Sequence, residues 1–94
     1  MNIDLKKLQE FIDTYSEPGH TLKADGLDSA IIGIDNGHRI VYDIHKILKI
    51  LKNDMTEEEA IEHFYYNIAG AYVGEYTPVF IWTYKELGYE PSIN

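Results

Sequence analysis

Residues 30–42 read AIIGIDNGHRIVY, and this stretch decides the fold class that the sequence predicts. Two apolar runs flank Asn36 and Gly37, which both tolerate the positive φ angles of a two-residue type I′ turn. The stretch therefore predicts a β-hairpin whose register is set by the turn. That register pairs Ile31 with Tyr42, Ile32 with Val41, Gly33 with Ile40, and Ile34 with Arg39.

The segments on either side of the hairpin have the apolar spacing of helices. Before it, gaps of three and four residues place one set of apolar side chains on a single face: Leu5, Leu8, Phe11, Ile12 and Tyr15. This spacing predicts a helix over residues 3–15. After the hairpin, Asp43 can cap a second helix, whose apolar stripe begins at Ile44 and ends at Leu51.

A third helix is predicted to begin at a capping box, in which Thr56 and Glu59 each accept a hydrogen bond from the other's backbone N–H. Its apolar periodicity runs to Tyr72, and Gly74 is the expected C-terminal stop. Residues 77–82 then have strand character. The predicted fold class is α+β: an N-terminal helix, a β-hairpin, two helices and a C-terminal strand. The sheet is expected to be small and mostly antiparallel, with the helices packed on one face.

Length and composition restrict the class of protein. Ninety-four residues predict a single domain over residues 1–94, with a core over about 3–84 and a polar tail over 85–94. Because the chain has no cysteine, a cytoplasmic, reducing compartment is expected. No signal peptide or apolar run of about 20 residues is evident, so no membrane association is expected. The formal net charge of −8 disfavours direct nucleic-acid binding and suits a partner protein with a basic surface.

The ionisable residues form no recognisable catalytic or metal-binding pattern. No two of the four histidines lie three or four residues apart, so neither a metal nor a cofactor is expected. Asp25 and Asp28 could act as acid and base or hold a cation, although carboxylates in such a turn more often stabilise the turn itself. The chain is therefore expected to bind and not to catalyse.

Residues 64–78, FYYNIAGAYVGEYTP, combine aromatic rings with polar groups at unusual density. Rings provide stacking surface, while the amide and the carboxylate provide directional hydrogen bonds, as recognition of a nucleobase or a peptide requires. In the alternative interpretation the rings fill the core and the polar groups satisfy a turn. The candidate ligand- or partner-binding residues are Tyr65, Tyr66, Asn67, Tyr72, Glu75, Tyr76, Thr77, Asp25 and Asp28.

Two further sequence motifs are distinctive: DGLDSAIIG at residues 25–33 and NIAGAYVGEYTPVF at residues 67–80. Together they resemble a family of small uncharacterised proteins encoded by tailed bacteriophages, over roughly residues 24–81. The resemblance implies an accessory protein expressed in the cytoplasm of an infected bacterium. It assigns no activity and no functional residue.

The sequence thus predicts a non-catalytic binding protein, most simply an inhibitor of a host defence protein. A second hypothesis is a small-ligand binder that sequesters a nucleotide signal in a pocket of Tyr, Asn, Glu and Thr side chains. Such a pocket needs cations for the phosphates, and Lys23, Arg39 and Lys46 are the candidates. Self-association is also expected, because a small domain gains core by pairing.

Overall fold

Helices and strands follow one another in the predicted order, which confirms the α+β class. The computed structural model describes residues 5–16, 22–71 and 74–84. The elements are α1 (Leu5–Tyr15), a 3-10 turn (Asp28–Ala30), β1 (Ile31–Ile34), β2 (Ile40–Asp43), α2 (Ile44–Leu51), α3 (Glu57–His63), a π-helical turn (Phe64–Ala69) and β3 (Val79–Ile81). The predicted polar tail lies outside the described residues, as do the first two residues of the predicted N-terminal helix.

The three strands form one sheet in the order β1-β2-β3. β1 and β2 are antiparallel, whereas β2 and β3 are parallel. Parallel neighbours need a long crossover connection, and α2, α3 and the π-helical turn supply it. The sheet is therefore mixed, where the sequence predicts a mostly antiparallel one, because the helical crossover returns β3 parallel to β2. The carboxyl ends of β2 and β3 lie at the same end of the sheet.

The predicted hairpin forms between β1 and β2, but its turn is not the predicted type I′. Asn36 and Gly37 do not have positive φ angles; His38 does, at 66°. The His38 N–H donates to the Asp35 carbonyl at 3.0 Å, and the Asp35 N–H donates to the Arg39 carbonyl at 2.8 Å. The loop therefore holds three residues, which is one more than predicted, and a residue in the left-handed region closes it.

This longer loop shifts the strand register by one residue, and a β-bulge shifts it back. Ile34 pairs with Ile40, Gly33 pairs with Val41, and Ile31 pairs with Tyr42. The bulge leaves Ile32 as the extra residue. The predicted pair Ile31–Tyr42 is confirmed. The predicted pairs Ile32–Val41, Gly33–Ile40 and Ile34–Arg39 are wrong.

The Asp35 carboxylate explains the longer loop. Oδ1 accepts hydrogen bonds from the backbone N–H groups of Gly37 at 2.8 Å and Arg39 at 2.9 Å. Oδ2 accepts from Arg39 Nε at 2.8 Å and lies 2.7 Å from Arg39 Nη2. Desolvation raises the pKa of Asp35, but the hydrogen bonds and the Arg39 charge outweigh it, so the pKa lies below its ordinary value of 3.8.

The stabilisation by Asp35 is expected to depend on pH. A carboxyl group whose pKa is lower in the folded than in the unfolded chain stabilises the fold above about pH 4, where both states are ionised. This contribution is lost as pH falls through the folded-state pKa. We therefore expect the free energy of unfolding of Asp35→Asn to fall less than that of the wild type between about pH 5 and pH 2. Urea titrations at a series of pH values measure this, and parallel pH profiles of the two proteins would contradict it.

The core lies where the sheet meets the helices. Its fully buried residues are Ala30, Ile40, Tyr42, Ile47, Ala60 and Phe64. The rings of Tyr42 and Phe64 both pack against Phe80, with centroid distances of 5.5 and 5.3 Å. These contacts connect β2, the π-helical turn and β3. Because all three elements share one aromatic contact, the position of the π-helical turn on the sheet is fixed.

The structure confirms both predicted helix caps. Asp43 Oδ1 accepts a hydrogen bond from the His45 N–H at 3.1 Å, which begins α2. The Thr56–Glu59 capping box is closed by bonds of 3.2 and 2.9 Å, which begins α3. The described helices are all short, and none of those in residues 5–16, 22–71 and 74–84 could cross a membrane.

The predicted C-terminal end of the third helix is wrong. The α-helical part ends at His63, and the π-helical turn ends at Ala69, before Gly70. A Cβ at Gly70 would lie 3.3 Å from the Tyr65 carbonyl oxygen, so a side chain would crowd the end of this wider turn. Gly74, with φ of 116°, instead begins the turn that leads into β3.

Candidate functional site

The outward surface of α3 and the π-helical turn combines carboxylates with aromatic rings. We call this surface the acidic–aromatic face: Glu58, Ile61, Glu62, Tyr65 and Tyr66. Its orientation follows from the buried residues Ala60 and Phe64, which turn the opposite side of the helix toward the core. The exposed fractions are 80% for Tyr66, 49% for Tyr65 and 37% for Ile61. The face therefore presents two large rings and an aliphatic side chain to solvent.

The π-helical turn contains three successive predicted binding residues, Tyr65, Tyr66 and Asn67. All three side chains are exposed. The buried Phe64 ring packs edge-on against the Tyr65 ring at a centroid distance of 5.0 Å, so a core residue positions an exposed one. The Asn67 amide contacts His63 Nδ1 at 3.2 Å. π-Helical turns are rare and occur often at functional sites.

The charges of the face are available for a partner. Glu58 and Glu62 are exposed and form no ion pair with any residue that the structure describes. Neighbouring carboxylates are engaged: Glu57 pairs with Lys52 at 3.2 Å, and Glu59 completes the capping box. The acidic–aromatic face therefore presents the carboxylates of Glu58 and Glu62 together with two tyrosine rings.

The other predicted binding residues lie in two turns. Asp25 is exposed beside Gly26, whose φ is 78°, and Asp28 pairs with Lys23 at 3.3 Å. In the turn before β3, the Thr77 hydroxyl donates to the Gly74 carbonyl at 2.9 Å. The structure therefore shows Asp28 and Thr77 stabilising local structure.

The predicted Tyr/Asn/Glu/Thr pocket stays a prediction. Glu75 is exposed, Tyr76 and Thr77 are half-buried, and Tyr72 lies outside the described residues. The Asn67 amide contacts His63 within its own helix, and the Thr77 hydroxyl bonds within its own turn. Each of these two polar groups thus has a local partner.

A second polar site, which the sequence did not indicate, lies at the carboxyl ends of the parallel strands β2 and β3. Asp43 is completely buried, and its Oδ1 accepts from the Thr83 hydroxyl at 3.2 Å as well as from the His45 N–H. The His45 ring meets the Trp82 ring edge-on at a centroid distance of 5.1 Å. The buried carboxylate thereby connects the start of α2 to the end of β3.

An open depression of about 340 Å³ adjoins this end of the sheet, between α2 and the start of α3. We call it the α2 depression, and its lining residues are His45, Leu48, Lys49, Lys52 and Glu57. His45, Lys49 and Lys52 are separated by four and three residues, so they share one side of the helix. The depression therefore has a basic wall in an acidic protein.

Another open depression, of about 400 Å³, lies beside the hairpin turn. Its polar lining includes Asp35, which bonds to Arg39, and His38, whose Nδ1–H donates to the Tyr15 carbonyl at 2.9 Å. These groups hold the turn and α1 in place. Across residues 5–16, 22–71 and 74–84, no three or more His, Asp or Glu side chains are grouped to hold a metal ion.

No protein-family model, curated protein or solved structure matches this chain. The acidic–aromatic face and the α2 depression are therefore interpreted from their own chemistry.

Proposed function

We propose that this protein is a non-catalytic binding protein that occupies a basic surface on a partner protein. In biological terms, it acts as a phage-type accessory protein in the cytoplasm of an infected bacterium and inhibits a host protein, most simply one of a defence system. The observation that carries the proposal is the acidic–aromatic face, where the exposed Glu58 and Glu62 lie beside two exposed tyrosines and form no ion pair among the described residues.

The chemistry of this face fits lysine and arginine side chains. Carboxylates accept charge-assisted hydrogen bonds from ammonium and guanidinium groups, which are stronger than neutral ones. Tyrosine rings attract the same cations through their faces. Tyrosine, arginine and tryptophan are also enriched among the residues that contribute most binding energy at protein interfaces. Tyr65 and Tyr66 are thus suitable anchors, with the carboxylates selecting basic partners.

The net charge of the whole chain supports the same choice of partner. A formal charge of −8 attracts a basic surface at long range and repels nucleic acid. The face then supplies the short-range contacts. Electrostatic attraction of this kind mainly raises the rate of association. The tyrosine rings become buried only in the complex, where they slow dissociation.

The alternative, sequestration of a nucleotide by the Tyr/Asn/Glu/Thr cluster, has less support at that position. Lys23 pairs with Asp28, and Arg39 is held by Asp35 in the hairpin turn. Arg39 is therefore held in the hairpin turn by two contacts with the Asp35 carboxylate, whereas the partly exposed Lys23–Asp28 pair is a weaker constraint.

The proposal is tested by capture from a bacterial lysate on immobilised protein. We expect a basic protein to be retained at about 0.1 M salt and released toward about 1 M, because the screening length falls from about 10 to about 3 Å over this range. A captured protein whose retention is independent of salt, or a lysate from which no protein is enriched, would contradict the proposal.

A further inference from the structure

The α2 depression has two lysines on its wall, and the exposed ring of Trp82 lies outside its lining but contacts the lining residue His45. Lys49 and Lys52 lie on its wall with His45, and His45 meets Trp82 at the end of β3. Cations and a flat ring in one place are the two features that recognise a phosphorylated ligand carrying a ring. We propose that the α2 depression binds a single small nucleotide, with its phosphate at Lys49 and Lys52 and its base against Trp82.

The lysines are able to receive a phosphate. Lys49 is exposed and forms no ion pair within the part of the chain that the structure describes. Lys52 pairs with Glu57 at 3.2 Å, but both side chains are well exposed, so this ion pair is weak. An ammonium group has three N–H donors, which allows Lys52 to keep Glu57 while it binds a phosphate oxygen.

The aromatic part of the site is positioned by the buried carboxylate of Asp43. This carboxylate accepts a hydrogen bond from the His45 N–H and another from the hydroxyl of Thr83, which follows Trp82 in the chain. The two bonds hold His45 and the end of β3 next to each other. Trp82 keeps 52% of its surface exposed, so its ring is accessible to a base. The contact also lies at the carboxyl ends of the neighbouring strands β2 and β3.

Size and charge decide which phosphorylated ligand fits. The depression of about 340 Å³ is near the lower end of small-ligand sites, which measure about 300–1,000 Å³. That volume suits the sugar and phosphate of one nucleotide, with its base reaching past His45 to Trp82. A nucleic-acid strand would extend over the rest of the surface, where the net charge of −8 repels its phosphates.

This inference does not rest on the proposed protein partner. The acidic–aromatic face and the α2 depression share no residue. Substitutions at Glu58 and Glu62 are expected to leave nucleotide binding intact, and substitution of Lys49 is expected to leave partner capture intact. The two proposals can therefore fail separately.

Fluorescence of Trp82 tests the inference directly, because Trp82 is the only tryptophan of the chain. We expect adenosine monophosphate to quench this fluorescence in a saturable manner. Adenosine and ribose 5-phosphate, which each lack half of the recognised chemistry, are expected to bind at least about tenfold more weakly. Absence of both a fluorescence change and a calorimetric signal at millimolar nucleotide would overturn the proposal. Equal affinity for ribose 5-phosphate would overturn the role of Trp82.

Two variants test the contacts. Lys49→Ala is expected to weaken nucleotide binding about tenfold or more, whereas Lys23→Ala, which also removes one lysine but lies outside the depression, is expected to have no effect. Glu57→Gln is expected to tighten binding severalfold, because it removes a carboxylate that lines the depression and repels a phosphate. A misfolded protein could not show this gain. Equal effects of Lys49→Ala and Lys23→Ala, or weaker binding by folded Glu57→Gln, would overturn the proposal.

Discussion

Replacement of Phe64 by alanine is expected to lower the free energy of unfolding by about 3–5 kcal/mol. Phe64 is 1% exposed, and its ring packs edge-on against both Phe80 and Tyr65. Alanine would leave a cavity at the junction of the π-helical turn and β3, where the surrounding side chains cannot fully collapse. Urea unfolding followed by circular dichroism measures the loss.

Tyr66→Ala is the matched control, since Tyr66 is an aromatic residue on the same π-helical turn but is 80% exposed. We expect its free energy of unfolding to stay within about 0.5 kcal/mol of the wild type. The contrast tests which side of the turn faces the core. Losses of similar size in the two variants would mean that the tyrosine ring is packed inside, and the acidic–aromatic face would then be assigned wrongly.

Reversal of both carboxylates of the acidic–aromatic face, as Glu58→Lys with Glu62→Lys, is expected to weaken partner binding by about a hundredfold. Two attractive contacts are removed, and like charges are placed against a basic surface, which costs several kcal/mol at an interface. The change is measured as the equilibrium dissociation constant for the captured partner. Circular dichroism checks the fold, because lysine near the start of α3 opposes the helix dipole by about 0.3–1 kcal/mol.

The control for this reversal is Glu10→Lys with Asp13→Lys on α1. It changes the net charge by the same amount but lies on a different helix. We expect it to lower the affinity only slightly, through the weaker long-range attraction. If the two double variants lost affinity equally, the overall charge would account for binding, and the face would have no specific role.

The parts of the fold that sequence reasoning predicted correctly depend on local chemistry. Asp43 caps α2, and the box of Thr56 and Glu59 starts α3, because a side chain and a backbone N–H three residues or fewer apart can meet without the rest of the fold. The hairpin turn shows the limit of this reasoning. Asn36 and Gly37 favour type I′, but the Asp35 carboxylate favours a type I turn by accepting nearby N–H groups, and the Asp35 contacts prevail.

The sites depended on information that local patterns do not contain. The sequence predicts Tyr65 and Tyr66 as binding residues but not Glu58 and Glu62, because the helix dipole already explains Glu58 and no local pattern distinguishes Glu62 from any solvated helix residue. The change from α-helix to π-helix at Phe64 leaves the apolar spacing nearly unaltered. The contact of Asp43 with Thr83 spans 40 positions and requires β2 and β3 to be parallel neighbours.

We propose that this protein binds a partner through the acidic–aromatic face. A zero-length cross-linker that joins carboxylates to lysines, applied to the captured complex and read by mass spectrometry, tests this placement. We expect cross-links from Glu58 and Glu62 to partner lysines, with few from Glu10 and Asp13 on α1. Cross-links concentrated on α1, with Glu58 and Glu62 unmodified, would contradict the claim.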